Sequence, residues 1–394
     1  MKEVRALVLG TDDNSYSVAR SYYEAYGKKA ITVGAGLLDV YRDTKISTLT
    51  YEKGFSSDDD KFVSLLNKEA AKYPDSKFII FAPNESYLDI LERNLGRLDF
   101  DYETAYPFGD IYKNYYHKSQ FYGLLEELGI PYPKTQAIDK DSVEDLSLDG
   151  DLFMKPDDFQ ALYRLDLDEK QKGYRLSSNA EAKRIMKKIY EAGYEDEMIV
   201  QEFIHGTDGT EYSINGYRST KGETSMVLAR NLISDMRPLL VGNHLVQVDH
   251  EDAQMYALAK KIVDSLDYVG LFNFDFKKDS KTGKIYVLEM NQRQGRTFYY
   301  STLGGVNLIR LAIEDKGYGK SETLRPTKKF RLIKLSEKYL EKHIVPELLD
   351  EFKEPARVEN TANPNIMEED MTIKRKLILF KRIKELERDI FKNS

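Results

Sequence analysis

The sequence contains no cysteine. That excludes a disulfide framework, a thiolate nucleophile and a zinc–thiolate site, and it fits the cytosol. Histidine is scarce, five residues without HxxxH or HExxH spacing, which argues against a histidine-based zinc site. No apolar run approaches the roughly 20 residues of a membrane span. The N-terminal stretch MKEVRALVLG lacks the long apolar segment and small-residue cleavage site of a signal peptide. Positive charge is not in excess either: the net charge of −7 argues against non-specific nucleic-acid binding by the whole chain. The loop after the first apolar run has one glycine where a GxGxxG dinucleotide fingerprint needs three, for the tight turn and for close pyrophosphate approach. A nicotinamide or flavin Rossmann enzyme is therefore disfavoured. What is present is 394 residues, 41% apolar and 32% charged, enough for two or three domains with buried cores.

The first third alternates short apolar runs with helical patterns. Val4 to Gly10, Lys29 to Val33, Lys45 to Tyr51 and Lys77 to Ala82 read as strands, and Tyr16 to Tyr26 and Asp58 to Tyr73 as helices. This is the pattern of βαβ units on a parallel sheet, where ligands sit beyond the carboxyl ends of the strands. The loops Gly10 to Asn14 and Pro83 to Ser86 occupy that position. From Lys113 the pattern becomes mixed α/β: a helix over Ser119–Leu128 stopped by Gly129-Ile130-Pro131, a strand Leu152–Pro156 carrying Lys155, a helix Ala180–Ala192, and an apolar strand Met198–Ile204.

The most informative segment is LFNFDFKKDSKTGKIYVLEMNQRQGR, Leu271 to Arg296. Phe272, Phe274 and Phe276 alternate with Asn273, Asp275 and Lys277, the period of a strand. Asp279 to Lys284 is turn chemistry, and Ile285 to Asn291 forms the return strand. Folding about Lys281 and Thr282 sets Asp275 nearly opposite Glu289, with Asn291 two residues on and on the same face. Asp275, Glu289 and Asn291 then form an all-oxygen cluster with Arg293 and Arg296 just beyond. Such hard donors suit Mg²⁺, which takes one or two carboxylates plus substrate phosphates. The arginines then face phosphates or a carboxylate. An exposed hairpin with ordinary surface charges is the plainer alternative, but the E-x-N-x-R run after F-x-F-D-F is hard to obtain by accident.

These residues resemble the ATP-grasp superfamily. The resemblance implies a two-subdomain ATP-grasp fold over residues 113–316, with a lid subdomain at about 134–200, after a βαβ pre-ATP-grasp domain at 1–112. Residues 317–394 form a C-terminal extension with a basic amphipathic helix. The expected class is thus α/β and α+β, multidomain. The resemblance also implies that Lys118 and Lys155 hold the ATP phosphates and that Gln201, Glu202, Phe203 and Ile204 form the adenine hinge. Asp275, Glu289 and Asn291 hold Mg²⁺, and Arg293 neutralises the transferring phosphate. The family's Gly-rich phosphate loop is not matched: Asp157 to Arg175 has one glycine, Gly173, so Lys170, Lys172 or the nearby backbone takes that place.

The stretches LVLGTDDNSYSVARSYYEAYGK, KSQFYGLLEELGIPYPKT, IYEAGYEDEMIVQEFIHGTD, FNFDFKKD and LEMNQRQGR and the basic C-terminal tail span almost the whole chain. Within the superfamily they look like the bacterial D-aspartate ligase group of cell-wall synthesis. That likeness implies an ADP-forming carboxylate–amine ligase working through an acyl phosphate. The β-carboxylate of D-aspartate is activated and joined to the lysine ε-amine of a peptidoglycan precursor, with Arg296 as the clamp for the acceptor carboxylate or acyl phosphate. The alternatives are a ligase for a different amino acid or amine, such as a dipeptide ligase, or an ATP-binding regulatory protein without catalysis. The Gly10 to Asn14 loop suits either an anion, from its place before a helix, or an amine, from its acids. Gly242-Asn243 either lines the site or is a plain hairpin turn. Residues 372–394 carry eight Lys or Arg against three Asp or Glu. Leu379, Ile383, Leu386 and Ile390 recur at helical spacing, roughly opposite Lys374, Lys381, Lys384, Arg388 and Lys392. This tail is either a helix packed on the body or one that visits an anionic membrane. The expected location is cytoplasmic, with membrane association through the tail as the second option.

Overall fold

The computed structural model describes residues 2–390 except 116, 169, 236 and 241. Lys392, one of the cations assigned to the tail, lies outside the described residues. Sixteen strands form three sheets among the described residues.

The first sheet is parallel, with order β3-β2-β1-β4-β5 for β1 (Glu3–Leu9), β2 (Ala30–Gly34), β3 (Ser47–Tyr51), β4 (Ser76–Phe81) and β5 (Tyr102–Thr104). Strands β1 and β4 are covered on both faces, which is why they read as unbroken apolar runs. Helix Asp13–Tyr26 starts three residues before the sequence reading put it, because Asp12 caps it by accepting from Ser15 N at 2.9 Å. It stops at Gly27, whose φ of 64° suits glycine. Asn84 caps helix Glu85–Asn94 and also donates to Asp12 at 3.1 Å. The two loops expected at the carboxyl end of the sheet therefore meet.

The second sheet, order β6-β9-β7-β8, is built from β6 (Thr135–Ile138), β7 (Leu152–Pro156), β8 (Tyr174–Leu176) and β9 (Met198–Glu202). It has its own core, including Leu152, Met154, Met186, Ile189 and Val200.

The third sheet is the largest, order β14-β13-β10-β11-β12-β15-β16, and antiparallel apart from its last pair. Its strands are β10 (Glu211–Arg218), β11 (Thr224–Ser234), β12 (His244–Asp249), β13 (Gly270–Lys278), β14 (Ile285–Asn291), β15 (Arg331–Ile333) and β16 (Thr361–Ala362). One face is apolar: Phe272, Phe274, Phe276, Ile214, Leu228 and Val287 pack with helix Ala253–Ser265. The period of two then puts Asn273, Asp275 and Lys277 on the other face, beside Glu211, Ser213 and Asn215 of β10.

The C-terminal extension returns to the first sheet. Arg375, on helix Ile373–Ile390, is fully buried, with its Nε 3.1 Å from the equally buried Asp370. Asp370 also accepts from Tyr16 Oη at 2.6 Å, Thr44 Oγ1 at 2.8 Å and the Lys45 N–H. Arg382 makes a two-pronged pair with Asp13, at 2.5 and 2.9 Å. Leu379 and Ile390 are buried as their spacing predicts, and Leu386 packs against the core around Leu340 and Phe352. The sequence reading missed a second apolar stripe on this helix: Ile373, Leu377 and Phe380 are exposed.

Removing Asp370 leaves the Arg375 charge buried without its partner. Asp370→Ala should destabilise the protein by about 3–5 kcal/mol, and Asp370→Asn by less. Denaturant unfolding, together with earlier proteolytic release of the C-terminal helix, measures this. A variant as stable and as resistant as the parent would contradict the role given to the pair.

Candidate active site

Strand register sets the centre of the site. Asp275 lies directly opposite Glu289 in the β13–β14 ladder, and Asn273 opposite Asn291. The Asn291 amide donates to Asn273 Oδ1 at 2.8 Å, and its Oδ1 lies 3.4 Å from Arg293. Burial pushes the Asp275 carboxyl up to about 7, and the neighbouring Glu289 charge adds to that. Burial also pushes Glu289 up, but Lys155, Lys118 and Lys172 outweigh it and hold Glu289 down at about 2. Two adjacent carboxylates on a half-buried sheet face favour a cation between them. The oxygen donors of Asp275, Glu289 and Asn291 suit a hard divalent ion completed by phosphate oxygens and water. Among the described residues no three His, Cys, Asp or Glu gather at one point, so any metal shell here needs such outside ligands.

The cations come from separate segments. Lys155, near the end of β7, reaches across from the second sheet to Glu289 at 3.3 Å. Burial opposes its charge, but Tyr122 and Glu289 raise its pKa. Lys118 opens helix Lys118–Glu127. That helix is capped from outside by Asp157, whose Oδ1 accepts the Lys118 N–H at 3.0 Å. The Lys118 ammonium donates to the Asp157 carbonyl at 2.7 Å, so the two lysines share one short loop. Lys172 is the member of the Lys170/Lys172 pair that turns to the site. Its side chain stays solvent-accessible, yet surrounding protein pushes its pKa down, opposed by Glu289, Glu85 and Asp275. Lys170 instead donates to the Tyr163 carbonyl, away from the cluster. Gly242 borders the same space: a Cβ there would lie 3.9 Å from Lys172 Nζ.

The loop after Asn291 is pinned at several points. The Gly295 N–H donates to Asn215 Oδ1 at 2.6 Å, and a Cβ at Gly295 would come within 3.0 Å of Asn273. Gln292 donates to the Tyr112 carbonyl at 3.2 Å, and Tyr106 donates to Gln294 at 3.2 Å. Arg293 does not stand open, as its assignment to a phosphate suggested. It pairs with Glu85 at the start of helix Glu85–Asn94 and donates to the Gln294 carbonyl at 2.9 Å. Arg296 is exposed, and its charge acts on Asp13, Lys172 and Lys334.

The hinge differs in detail from its expected use. Gln201 and Glu202 belong to β9, paired on both sides. The Glu202 N–H donates to the Lys134 carbonyl at 2.9 Å and the Phe203 N–H to the Asp151 carbonyl at 2.8 Å, so neither donor is open to a base. The Gln201 side chain donates to Thr135 at 2.8 Å. Phe203 presents its ring between Arg175 and Lys277, at 4.3 and 5.5 Å, and Ile204 is buried.

Two residues near the site had no usable signal in the sequence. Lys334 follows β15 and its N–H donates to the Leu245 carbonyl. Burial pushes its ammonium down to about 8, Asp13 opposes this, and Arg296 reinforces it. His244 is pushed down to about 4 by burial, with Glu211 opposing and Lys334 and Lys172 reinforcing. Its Nε2 lies 2.9 Å from the Asn231 amide, which Gln247 orients by donating to Asn231 Oδ1 at 2.7 Å. Neutral His244 therefore carries its proton on Nδ1. Only the adjacent Gly242-Asn243 turn hinted at this corner.

The chain is similar to several known proteins. Residues 194–338 match a family described as ATP-grasp in the biosynthetic pathway with Ter operon. The chain is 29% identical over 328 residues to the D-aspartate ligase of Enterococcus faecium (strain Aus0004), covering 81% of this chain and 78% of that protein. It is similar in fold to the N5-carboxyaminoimidazole synthetase of Staphylococcus aureus, with TM-score 0.63, 15% identity and coverage of 90% and 87% of the two chains. It is also similar to the biotin carboxylase domain of the Hydrogenobacter thermophilus 2-oxoglutarate carboxylase, seen with MgADP, ADP and bicarbonate. That likeness has TM-score 0.59, 13% identity and coverage of 81% and 70%. The match over residues 194–338 and the likeness to that relative make the chain similar to ATP-grasp proteins and indicate an ATP-dependent ligase.

Proposed function

We propose that the protein activates the β-carboxylate of D-aspartate with ATP and joins it to the lysine ε-amine of a peptidoglycan precursor. The observation that carries the ATP chemistry is Lys155 reaching from the second sheet to Glu289, with Asp275 directly opposite Glu289. The choice of amino acid and acceptor draws support from the D-aspartate ligase likeness.

In this reading the nucleotide lies between the second and third sheets. Phe203 and Ile204 form an apolar bed for adenine. Its edge meets the Ile204 N–H, since the Glu202 and Phe203 N–H groups are already bonded. Lys118, Lys155 and Lys172 neutralise the phosphates, and Lys172 takes the place of glycine-rich backbone. Asp275, Glu289 and Asn291 would hold Mg²⁺, which supplies charge neutralisation at the transferring phosphoryl group when bound. The substrate carboxylate attacks the γ-phosphorus, giving an acyl phosphate and ADP. The amine then attacks the acyl carbon, phosphate leaves, and a proton is lost to form the amide. Phosphoryl transfer asks the protein mainly for position and charge. Arg296 and Lys334 hold the carboxylate that is not activated, and Arg293, braced by Glu85, supports the phosphoryl end. The domains act as a pre-ATP-grasp unit, an ATP-grasp unit and an extension. The basic tail brings the enzyme to the membrane surface, where lipid-linked precursors reside.

The direct test is ADP release from the purified protein with ATP and Mg²⁺, across D- and L-amino acids, with and without a muramyl pentapeptide. Release should require D-aspartate, and amide product should require the pentapeptide. Turnover with another pair in place of these would redirect the substrate assignment.

Three further outcomes are expected. Glu289→Gln keeps the shape but removes charge, so turnover should fall about a hundredfold or more, as should activity on Mg²⁺ removal by chelation. Melting should shift little, and near-normal turnover would contradict the role of the Asp275–Glu289–Asn291 cluster. ATP should be preferred to GTP, because the Ile204 N–H finds an acceptor at adenine N1, where guanine carries an N1–H donor. Equal use of both in steady-state assays would count against the hinge assignment. Arg296→Lys retains charge but loses the planar fork, so the KM for D-aspartate should rise roughly tenfold or more while ATP affinity holds. Loss of ATP affinity with an unchanged amino-acid KM would move Arg296 to the phosphate site.

A further inference from the structure

Helix Ile373–Ile390 has 18 residues and two unlike faces. One is fixed to the body by the buried Arg375 and Leu379, by Ile390 and by the Arg382–Asp13 pair. The opposite face carries Ile373, 85% exposed, Leu377, 67% exposed, and Phe380, 60% exposed. These three are the most exposed large apolar side chains among the described residues. Their spacing of four and then three residues places them side by side on one stripe.

Exposed cations surround the stripe. Lys374 and Lys381 flank it on one side and Lys376 on the other, while Lys384 and Arg388 continue it toward the C-terminus. Lys381 and Lys384 lean on carboxylates of the same helix, Glu385 at 3.8 Å and Glu387 at 2.7 Å. Lys374, Lys376 and Arg388 have no carboxylate within ion-pair distance among the described residues. Three large apolar side chains ringed by cations form an unfavourable surface in water and a favourable one at a bilayer boundary. There the apolar groups enter the acyl edge and the cations meet anionic headgroups. No helix among the described residues is long and apolar enough to cross a membrane, so the contact is one of lying on the surface. The charge is local, since the chain as a whole carries −7. A stripe on a rigid, anchored helix also needs no folding on contact, which removes an ordering cost that a disordered basic tail bears.

We propose that this helix lies flat on an anionic lipid surface, with Ile373, Leu377 and Phe380 inserted at the headgroup boundary and Lys374, Lys376, Lys381, Lys384 and Arg388 against the headgroups. This deepens the membrane contact included in the proposed function, from which it takes only the location and none of the ligase chemistry. A second copy of the chain is the competing occupant, and the cation ring disfavours it, because two such faces would repel.

Sedimentation of the full chain with vesicles tests this without any activity assay. The protein should bind phosphatidylglycerol–phosphatidylcholine vesicles, bind phosphatidylcholine alone weakly, and lose binding as salt rises. Leu377→Gln with Phe380→Gln should weaken binding roughly tenfold or more, and Lys374→Gln with Lys376→Gln should lower binding and flatten the salt dependence. All four positions are exposed, so melting should be unchanged. Absence of binding to anionic vesicles, or equal binding by the Leu377/Phe380 variant, overturns the proposal. So does a stable dimer in size-exclusion chromatography that this variant dissolves. Failure of the ligase assay would leave these measurements untouched.

Discussion

Two carboxylates held side by side on one face of a sheet make the constraint around which this molecule is arranged. Asp275 and Glu289 face each other because β13 and β14 pair in that register. The register is enforced from the opposite face, where Phe272, Phe274 and Phe276 are all buried. Slipping the strand by one residue would bring three phenylalanines onto the polar face and drive the acids into the core. The acids cannot both be charged there without positive charge close by, as the unequal displacement of their pKa values shows. Lys155 supplies part of that charge from a different sheet, so the pair links the second sheet to the third.

The remaining contacts extend the same logic to parts of the chain far apart in sequence. Asp157 caps the helix that starts at Lys118 and its carbonyl accepts from that lysine's ammonium, so Lys118 and Lys155 depend on one loop. Glu85 ties the first sheet to Arg293 in the loop beyond Asn291. Asp370, paired with Arg375, accepts from Tyr16, Thr44 and Lys45 and so ties the C-terminal segment to the helix and loop that flank the first sheet. Each contact satisfies a charge that would otherwise be costly to bury, and each joins elements that local pattern alone leaves unrelated.

This explains which parts were readable in advance. The hairpin was legible because a period of two and a turn of Asp, Ser, Thr and Gly leave little freedom in how Asp275 meets Glu289. The places of Lys155 near the end of a strand and Lys118 at the start of a helix were legible from local pattern. The use of hinge N–H groups was not, since which donors stay open depends on the neighbours Lys134 and Asp151 across the sheet. Lys334, His244 and the Glu85 partner of Arg293 were equally hidden, because their position follows from sheet order. The packed side of the C-terminal helix showed in Leu379 and Ile390. The exposure of Ile373, Leu377 and Phe380 did not, because helical spacing alone does not say which of two apolar stripes finds a core.

Three acids near the candidate site are each engaged by an arginine: Asp13 by Arg382, Glu85 by Arg293 and Asp235 by Arg237. Arg296, Lys334 and Lys172 have no carboxylate within ion-pair distance among the described residues, while Lys155 already leans on Glu289. Burial, reinforced by the charge of Arg296, pushes the pKa of Lys334 and Lys172 down. An anion beside Arg296 and Lys334, or beside Lys172, would relieve that repulsion. For the function proposed above, a substrate with a second carboxylate would use these cations better than one with a neutral side chain, which gives the proposal of an acidic amino acid an electrostatic reason besides the likeness to a relative.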